Sequence, residues 1–342
     1  MSVWKKLLES AIYAPSPHNV QPWRLRILSD DTADLLIEKG RTLPKEDPTG
    51  SFIILTMGLF IEALTILAEG ISLKLEFHLC QSASRFTPEQ IAKSPDELLP
   101  FARLTISHSV PQFDHKPTGS EFNDSLFRKR RTSRISYSAR PVPDEAVEAL
   151  SQLARKWGQT YAQVTETTTI QQILTRNIEA VFEDLNAPPY HDEIVEWFRF
   201  TNRAARKTRD GLDYRCMNSS RPSFWLAARV PRLLQLPLTS ALLKKVYRTQ
   251  LGHVPTIGML AGPFWEPESA FDAGRFLMHF WLELAKRDLY VHPYGNLVTN
   301  KAAAKRCLEL LGIPEVWLIF RIGFSKVPPR SYRRSVEEVL VD

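Results

Sequence analysis

The feature that most constrains this chain is its longest apolar run, Phe52–Ala68, which is interrupted by Glu62 and broken by Gly58. It is short of the roughly 20 residues that a membrane span needs. It therefore reads as a buried helix, Ile53–Glu69, apolar nearly all round. A helix of that kind has to be covered on every side, which demands packed layers around it. A second strongly apolar helix is expected at Phe271–Asp288. A chain of 342 residues carrying two such helices fits two domains or one large interlocked fold.

The two helices share spacing with little identity. Phe60–Ala68 and Leu277–Ala285 each follow a Gly closely, end in Ala and give way to a strand-like segment. No period of 20–50 residues is present, so a solenoid is excluded. A single duplication of a larger α+β unit fits this pattern.

Hydrophobic content of 44% and charged content of 24% are those of an ordinary globular protein. The start, MSVWKKLLES, has no apolar core of signal-peptide length. Cys80, Cys216 and Cys307 are odd in number and widely scattered. That suits reduced thiols, gives no metal spacing and points to a cytoplasmic protein. Net charge is +6, with much of the excess between Arg203 and Arg248. A solvated basic face accounts for this. The cations form no DNA-reading module, and neither a nucleic-acid nor a membrane partner is expected.

In chain order, Val3–Ile12 is an amphipathic helix, followed by a loop, a strand Trp23–Leu28 and a second strand near Ala33–Glu38. Ile71–Cys80 and Phe101–His108 are further strands, with short helical or turn pieces at Pro88–Ala92 and Pro95–Leu98. Pro111–Ser120 reads as a linker. Helices follow at Asn123–Arg130, from Pro143 through Trp157 with Asp144 as cap, at Thr168–Leu185 and at His191–Arg206. Tyr161–Val164 is a strand between them. From about Lys207 to Gly262, Gly211, Pro222, Pro231, Pro237 and Pro255 break the chain into short helices. A helix at Lys301–Leu311, a strand at Val316–Gly323 and a basic tail complete it.

Four stretches can carry chemistry. The first is Ala-Pro-Ser-Pro-His-Asn-Val-Gln-Pro-Trp-Arg, residues 14–24, a proline-bounded loop between a helix and a strand. It concentrates hydrogen-bonding groups on Ser16, His18, Asn19 and Gln21. The second is Arg130-Arg131-Thr132-Ser133-Arg134, where guanidinium forks and hydroxyls suit a phosphate. The third is the tail Pro328-Pro-Arg-Ser-Tyr-Arg-Arg, with Arg330, Arg333 and Arg334. The fourth is His292-Pro-Tyr-Gly-Asn296, where Gly295 would allow close backbone approach. Gly-rich nucleotide loops, a GxSxG elbow and an HExxH pair are all absent from the sequence.

These stretches, in this order, resemble the FMN-dependent nitroreductase superfamily, in its tandemly duplicated, Acg-like branch. The first loop is similar to the family's APSxxNxQPW loop, which lies against the flavin ring. Arg130 to Arg134, with Tyr137 and Pro141-Val-Pro143 after it, resembles the family's R-R-S-x-R segment. Arg41 with Asp47-Pro48 resembles its R…DP segment, although Ser51-Phe52 stands where Arg-Glu is usual.

The resemblance implies an α+β, nitroreductase-like FMN-binding fold with antiparallel-rich sheets flanked by helices. It also implies internal duplication as a pseudo-dimer in one chain: residues 1–120 as a first half, and 121–342 as a second half with a helical lid-like insertion at about 207–262. FMN would be held by Ser16, His18, Asn19, Gln21, Arg130, Arg131, Thr132, Arg134, Pro293, Gly295, Arg330, Arg333 and Arg334. Arg130 and Thr132 would hold the phosphate and ribityl chain, and Arg134 would approach the pyrimidine end. In the tail, Arg333 and Arg334 are preferred for clasping the phosphate. No side-chain acid is required. The function implied is an FMN-dependent NAD(P)H oxidoreductase that reduces a small electron-poor acceptor, acting as a monomer or a homodimer. The alternative is a protein that stores or sequesters FMN beneath a lid without turnover.

Overall fold

The computed structural model describes residues 2–80, 86–108, 122–229 and 236–342. The expected linker at Pro111–Ser120, the boundary between 120 and 121 and the break at Pro231 lie outside the described residues. The chain forms two compact units made of interleaved segments. The first comprises Met1–Arg130, Phe264–Leu282 and Arg333–Asp342, and the second Arg131–Pro263 and Glu283–Tyr332.

The first unit is built on a five-stranded sheet. Strands β1 (Trp23–Ile27), β2 (Thr32–Glu38), β3 (Leu73–Leu79) and β4 (Leu98–His108) are ordered β1-β2-β4-β3 and pair antiparallel. At the outer edge of β1 the last two-residue strand of the chain, Leu340–Val341, pairs parallel with Leu25 and Arg26. The strand expected at Phe101–His108 begins earlier, at Leu98, so that only the last residue of the turn expected at Pro95–Leu98 belongs to β4. Pro100 is accommodated there because the register shifts opposite Leu35 and Leu36, and a strand tolerates a missing N–H at such an irregularity.

The constraining apolar run is the helix Ser51–Glu69, buried along nearly its whole length, with only a few positions half-exposed. The helix is long and apolar enough to cross a membrane by length and composition alone, yet its side chains are consumed by packing. Its partner is the helix Pro267–Lys286. The two backbones meet at glycines. A Cβ on Gly58 would lie 2.3 Å from the Phe271 carbonyl oxygen, and one on Gly274 would lie 2.1 Å from that of Leu55. Small residues at a helix crossing are what allow this approach. Glu62, the polar interruption in the run, is 4% exposed and is answered from the second helix. Arg275 Nε donates to Glu62 Oε2 at 2.8 Å, and His279 Nε2 lies 2.7 Å from Oε1.

The second unit is built on a four-stranded antiparallel sheet. Its strands are β5 (Thr160–Val164), β8 (Thr256–Ala261), β9 (Tyr290–Pro293) and β10 (Val316–Gly323), ordered β5-β8-β10-β9. Every residue of β8 and β10 is buried. The helical segment expected at about 207–262 does not take in Thr256–Ala261, because those residues form a central strand of this sheet. The helix expected at His191–Arg206 is also divided. A helix Pro188–Glu196 is followed by the short strand β6 (Phe198–Arg199) and a helix Asn202–Thr208. Pairing of β6 with β7 (Leu212–Asp213) and the 2.7 Å Arg199–Asp210 ion pair prevail over helix continuation. Thr201 then restarts the helix by accepting from the Ala204 N–H. Asp144 does not cap its helix: Pro143 holds that position, and Asp144 lies in the first turn.

Candidate functional site

In the first unit the loop of residues 16–21 is strained. His18, Asn19 and Gln21 all have positive φ, at 47°, 57° and 51°. Such conformations are uncommon outside Gly, and a cluster of them persists only where surrounding bonds over-determine the backbone. Those bonds are present. Ser16 Oγ accepts from the Gln21 N–H at 3.0 Å, and the Ser16 carbonyl from the Asn19 N–H at 3.0 Å. Gln21 Nε2 returns to the Asn19 carbonyl at 3.2 Å, and His18 Nε2 lies 2.8 Å from Glu46 Oε2.

Gln21 is fully buried, and its Oε1 accepts the backbone N–H of Arg334 at 2.9 Å. The Arg334 guanidinium is itself occupied. Nη1 donates to Glu38 Oε2 at 2.8 Å and Nη2 to the Glu338 carbonyl at 2.7 Å. Burial pushes the Glu38 carboxyl up, but Arg334, Arg24 and Arg41 together hold it below the ordinary range. Arg334, preferred from the sequence as a phosphate clasp, is thus a strut of the N-terminal loop. Arg130 is likewise turned inward. It is 6% exposed, donates to the Tyr13 carbonyl at 3.0 Å and lies over the Trp281 ring at 4.8 Å. Arg333, half-buried, falls in this unit too.

Arg131, Thr132, Arg134, Pro293, Gly295 and Arg330 all belong to the second unit. Thr132 forms a parallel bridge with Val291, and the Ser133 N–H donates to the Val291 carbonyl at 3.0 Å. The basic segment is thereby aligned with β9, which leads to Pro293 and Gly295. Arg131 Nη1 donates to the Pro328 carbonyl at 2.6 Å. Its pKa is lowered, first by desolvation and next by the positive charge of Arg330. Arg330, exposed, is thus the tail cation that shares Arg131's surroundings. Gly295 has ordinary helical φ and ψ, and a Cβ there would meet nothing. The chain itself does not demand glycine at that position, and it leaves the backbone there uncovered.

Behind this segment lies a cluster that sequence reasoning missed. Arg321 on β10 is fully buried. It donates to the carbonyls of Leu251 and Ser133 and lies over the Tyr137 ring at 4.7 Å. Arg134 donates to the Cys216 carbonyl at 3.3 Å, and desolvation lowers its pKa. Among the described residues no carboxylate pairs with Arg131, Arg134 or Arg321. His292, the cross-strand partner of Arg321, is held neutral first by burial and then by the two arginines. The Tyr294 hydroxyl and His292 Nδ1 are buried without a hydrogen-bond partner among the described residues. Cations without counter-charges beside orphaned polar atoms fit an anionic, polar ligand. The one available signal was a charge inside an otherwise apolar strand, Val-Trp-Leu-Ile-Phe-Arg-Ile-Gly. Cys216 is buried, and desolvation pushes its thiol up to about 11. Among the described residues no group of His, Cys, Asp or Glu could hold a metal.

No family model matches the chain. It is 23% identical over 193 residues to a protein provisionally named an NAD(P)H nitroreductase, found in two strains of Mycobacterium tuberculosis. The match takes in 56% of this chain and 50% of the relative, so the chain spans about half the length of the curated relatives it matches. Among solved structures, it aligns with the FMN-dependent nitroreductase NfnB from Mycobacterium smegmatis in complex with NADPH. That alignment has 17% identity and a TM-score of 0.38, and covers 63% of this chain and 95% of the other. A nitroreductase with bound FMN from Bacteroides fragilis aligns at 12% identity and a TM-score of 0.32, covering 61% and 91%. Its likeness to the curated relative extends over about half of each chain, and its own fold mixes helices with antiparallel-rich sheets.

Proposed function

We propose that this chain binds FMN and uses NAD(P)H to reduce a small electron-poor acceptor. The observation that carries the proposal is the carboxylate-free set Arg131, Arg134 and Arg321, aligned with the loop that leads through Pro293 to Gly295. A flavin mononucleotide offers a phosphate and a pyrimidine edge that takes negative charge on reduction. Arg131, with Arg330, suits the first, and Arg134 suits the second. Thr132 adds a hydroxyl for the ribityl chain. Gly295 leaves the backbone beside Pro293 uncovered. Within the first unit, Ser16, His18, Asn19 and Gln21 form a loop pre-set by its own hydrogen bonds. The flavin supplies hydride transfer when bound; the protein's part is to orient it and to supply a positive field. Internal duplication and a cytoplasmic location accompany the same reading.

Equilibrium dialysis against FMN tests it. Wild-type protein should retain FMN, and Arg131→Gln should bind it at least about tenfold more weakly, the loss of one charge-assisted phosphate contact. Equal retention by both proteins would contradict the assigned role of Arg131.

A further inference from the structure

We propose that the helix Pro237–Leu251 is a docking element for an anionic lipid surface. The chain's exposed large apolar side chains are concentrated here. Leu236 is 53% exposed, Leu238 88%, Leu242 61% and Val246 38%, and Trp225 in the preceding described helix, Arg221–Arg229, is 51% exposed. At 100° per residue, Leu238, Leu242 and Val246 fall within an arc of about 80°, so they form one continuous apolar stripe. The opposite side of the helix is what holds it to the unit. Leu251 is buried, Lys244 lies over the Phe182 ring at 5.6 Å, and Arg248 donates to Thr175 Oγ1 at 3.1 Å. The stripe is therefore presented outward on an anchored helix.

Charge selects the occupant. Residues 221–251 contain no Asp or Glu, whereas Arg221, Arg229 and Lys245 are exposed cations. A second copy docking through a two-fold axis would set the cations of this segment against themselves. An acidic lipid surface takes both components at once: the leucines enter the interface and the cations meet the headgroups. This departs from the expectation of no membrane partner, and it stands independently of the FMN reading.

Flotation of the full chain with lipid vesicles tests the proposal. Wild-type protein should float with vesicles holding about 30 mol% phosphatidylglycerol and bind roughly tenfold more weakly to pure phosphatidylcholine. The double variant Leu238→Asp/Leu242→Asp should lose roughly tenfold of the binding to acidic vesicles while keeping the wild-type circular dichroism melt. Lys245→Glu, a single exposed charge reversal, should weaken binding in the same direction if the double variant fails to fold. Three results would overturn the proposal. The first is no flotation with either vesicle. The second is a wild-type dimer on gel filtration that the double variant dissociates, which would assign the face to a second copy. The third is binding of polyglutamate but not of vesicles, which would assign it to an acidic protein.

Discussion

The backbone N–H of Arg334 donates to the side-chain oxygen of Gln21 at 2.9 Å, across 313 positions of sequence. The C-terminal segment thereby locks a loop in which three of four consecutive residues, His18 to Gln21, sit in the left-handed region. The guanidinium of Arg334 adds the bond to Glu38 that fixes the strand beside the loop. Replacing Arg334 by Met should cost about 1.5–3 kcal/mol in chemical denaturation, the loss of a hydrogen bond to a charged group, since Glu38 keeps Arg24 and Arg41. A change below about 0.5 kcal/mol would show that the Arg334 guanidinium does not brace the strand beside the loop.

The crossing of the two apolar helices should be intolerant of a single methyl group. Gly274→Ala would bring a Cβ against the Leu55 carbonyl oxygen, a backbone atom that cannot rotate away. A loss of about 3 kcal/mol is expected from thermal or denaturant unfolding, because the helices must separate to admit it.

Asp47 should make stability fall as pH rises through the acid range. It is 5% exposed and receives the Ile53 N–H at 2.9 Å, ahead of the buried helix. Desolvation raises its pKa to about 6 against these bonds. With the folded value above the unfolded one, the native state keeps its proton where the unfolded chain has released it. This group's contribution therefore declines by about 3 kcal/mol from below pH 4 to above pH 6. Asp47→Asn, which keeps an acceptor for Ile53, should flatten that part of the stability profile.

His292 should stay neutral well into the acid range, because burial and the nearby charges of Arg321 and Arg134 disfavour its protonation. Arg321→Met removes one of those charges, so the imidazole pKa should rise while remaining below that of an exposed histidine. Imidazole resonances followed by NMR through a pH titration measure this. An unchanged titration would mean that Arg321 does not act on His292.

Long apolar elements were legible because burying them allows few arrangements. Both apolar helices and the strand Val316–Gly323 fall close to where their patterns put them. Thr256–Ala261 was missed because it follows a proline-rich stretch and carries Gly258 in its centre, where a Cβ would strike the Phe320 ring. The break at residues 197–201 depends on pairing Phe198 with Leu212, which no local window contains. The candidate site was legible as residue types but not as roles. Arg334 and Arg131 read alike in a sequence. Only the fold shows that one is bound to Glu38 and that the other shares its place with Arg330. Arg321 was hidden for the opposite reason, as one charge inside a core strand.

The most direct test of the account is the absorbance of the protein after incubation with FMN and gel filtration, followed by anaerobic NADPH. The account predicts a flavin band that stays with the protein and bleaches when NADPH is added. A retained band that does not bleach would contradict turnover with NADPH and favour storage of the flavin. A protein that emerges colourless would contradict the flavin site itself.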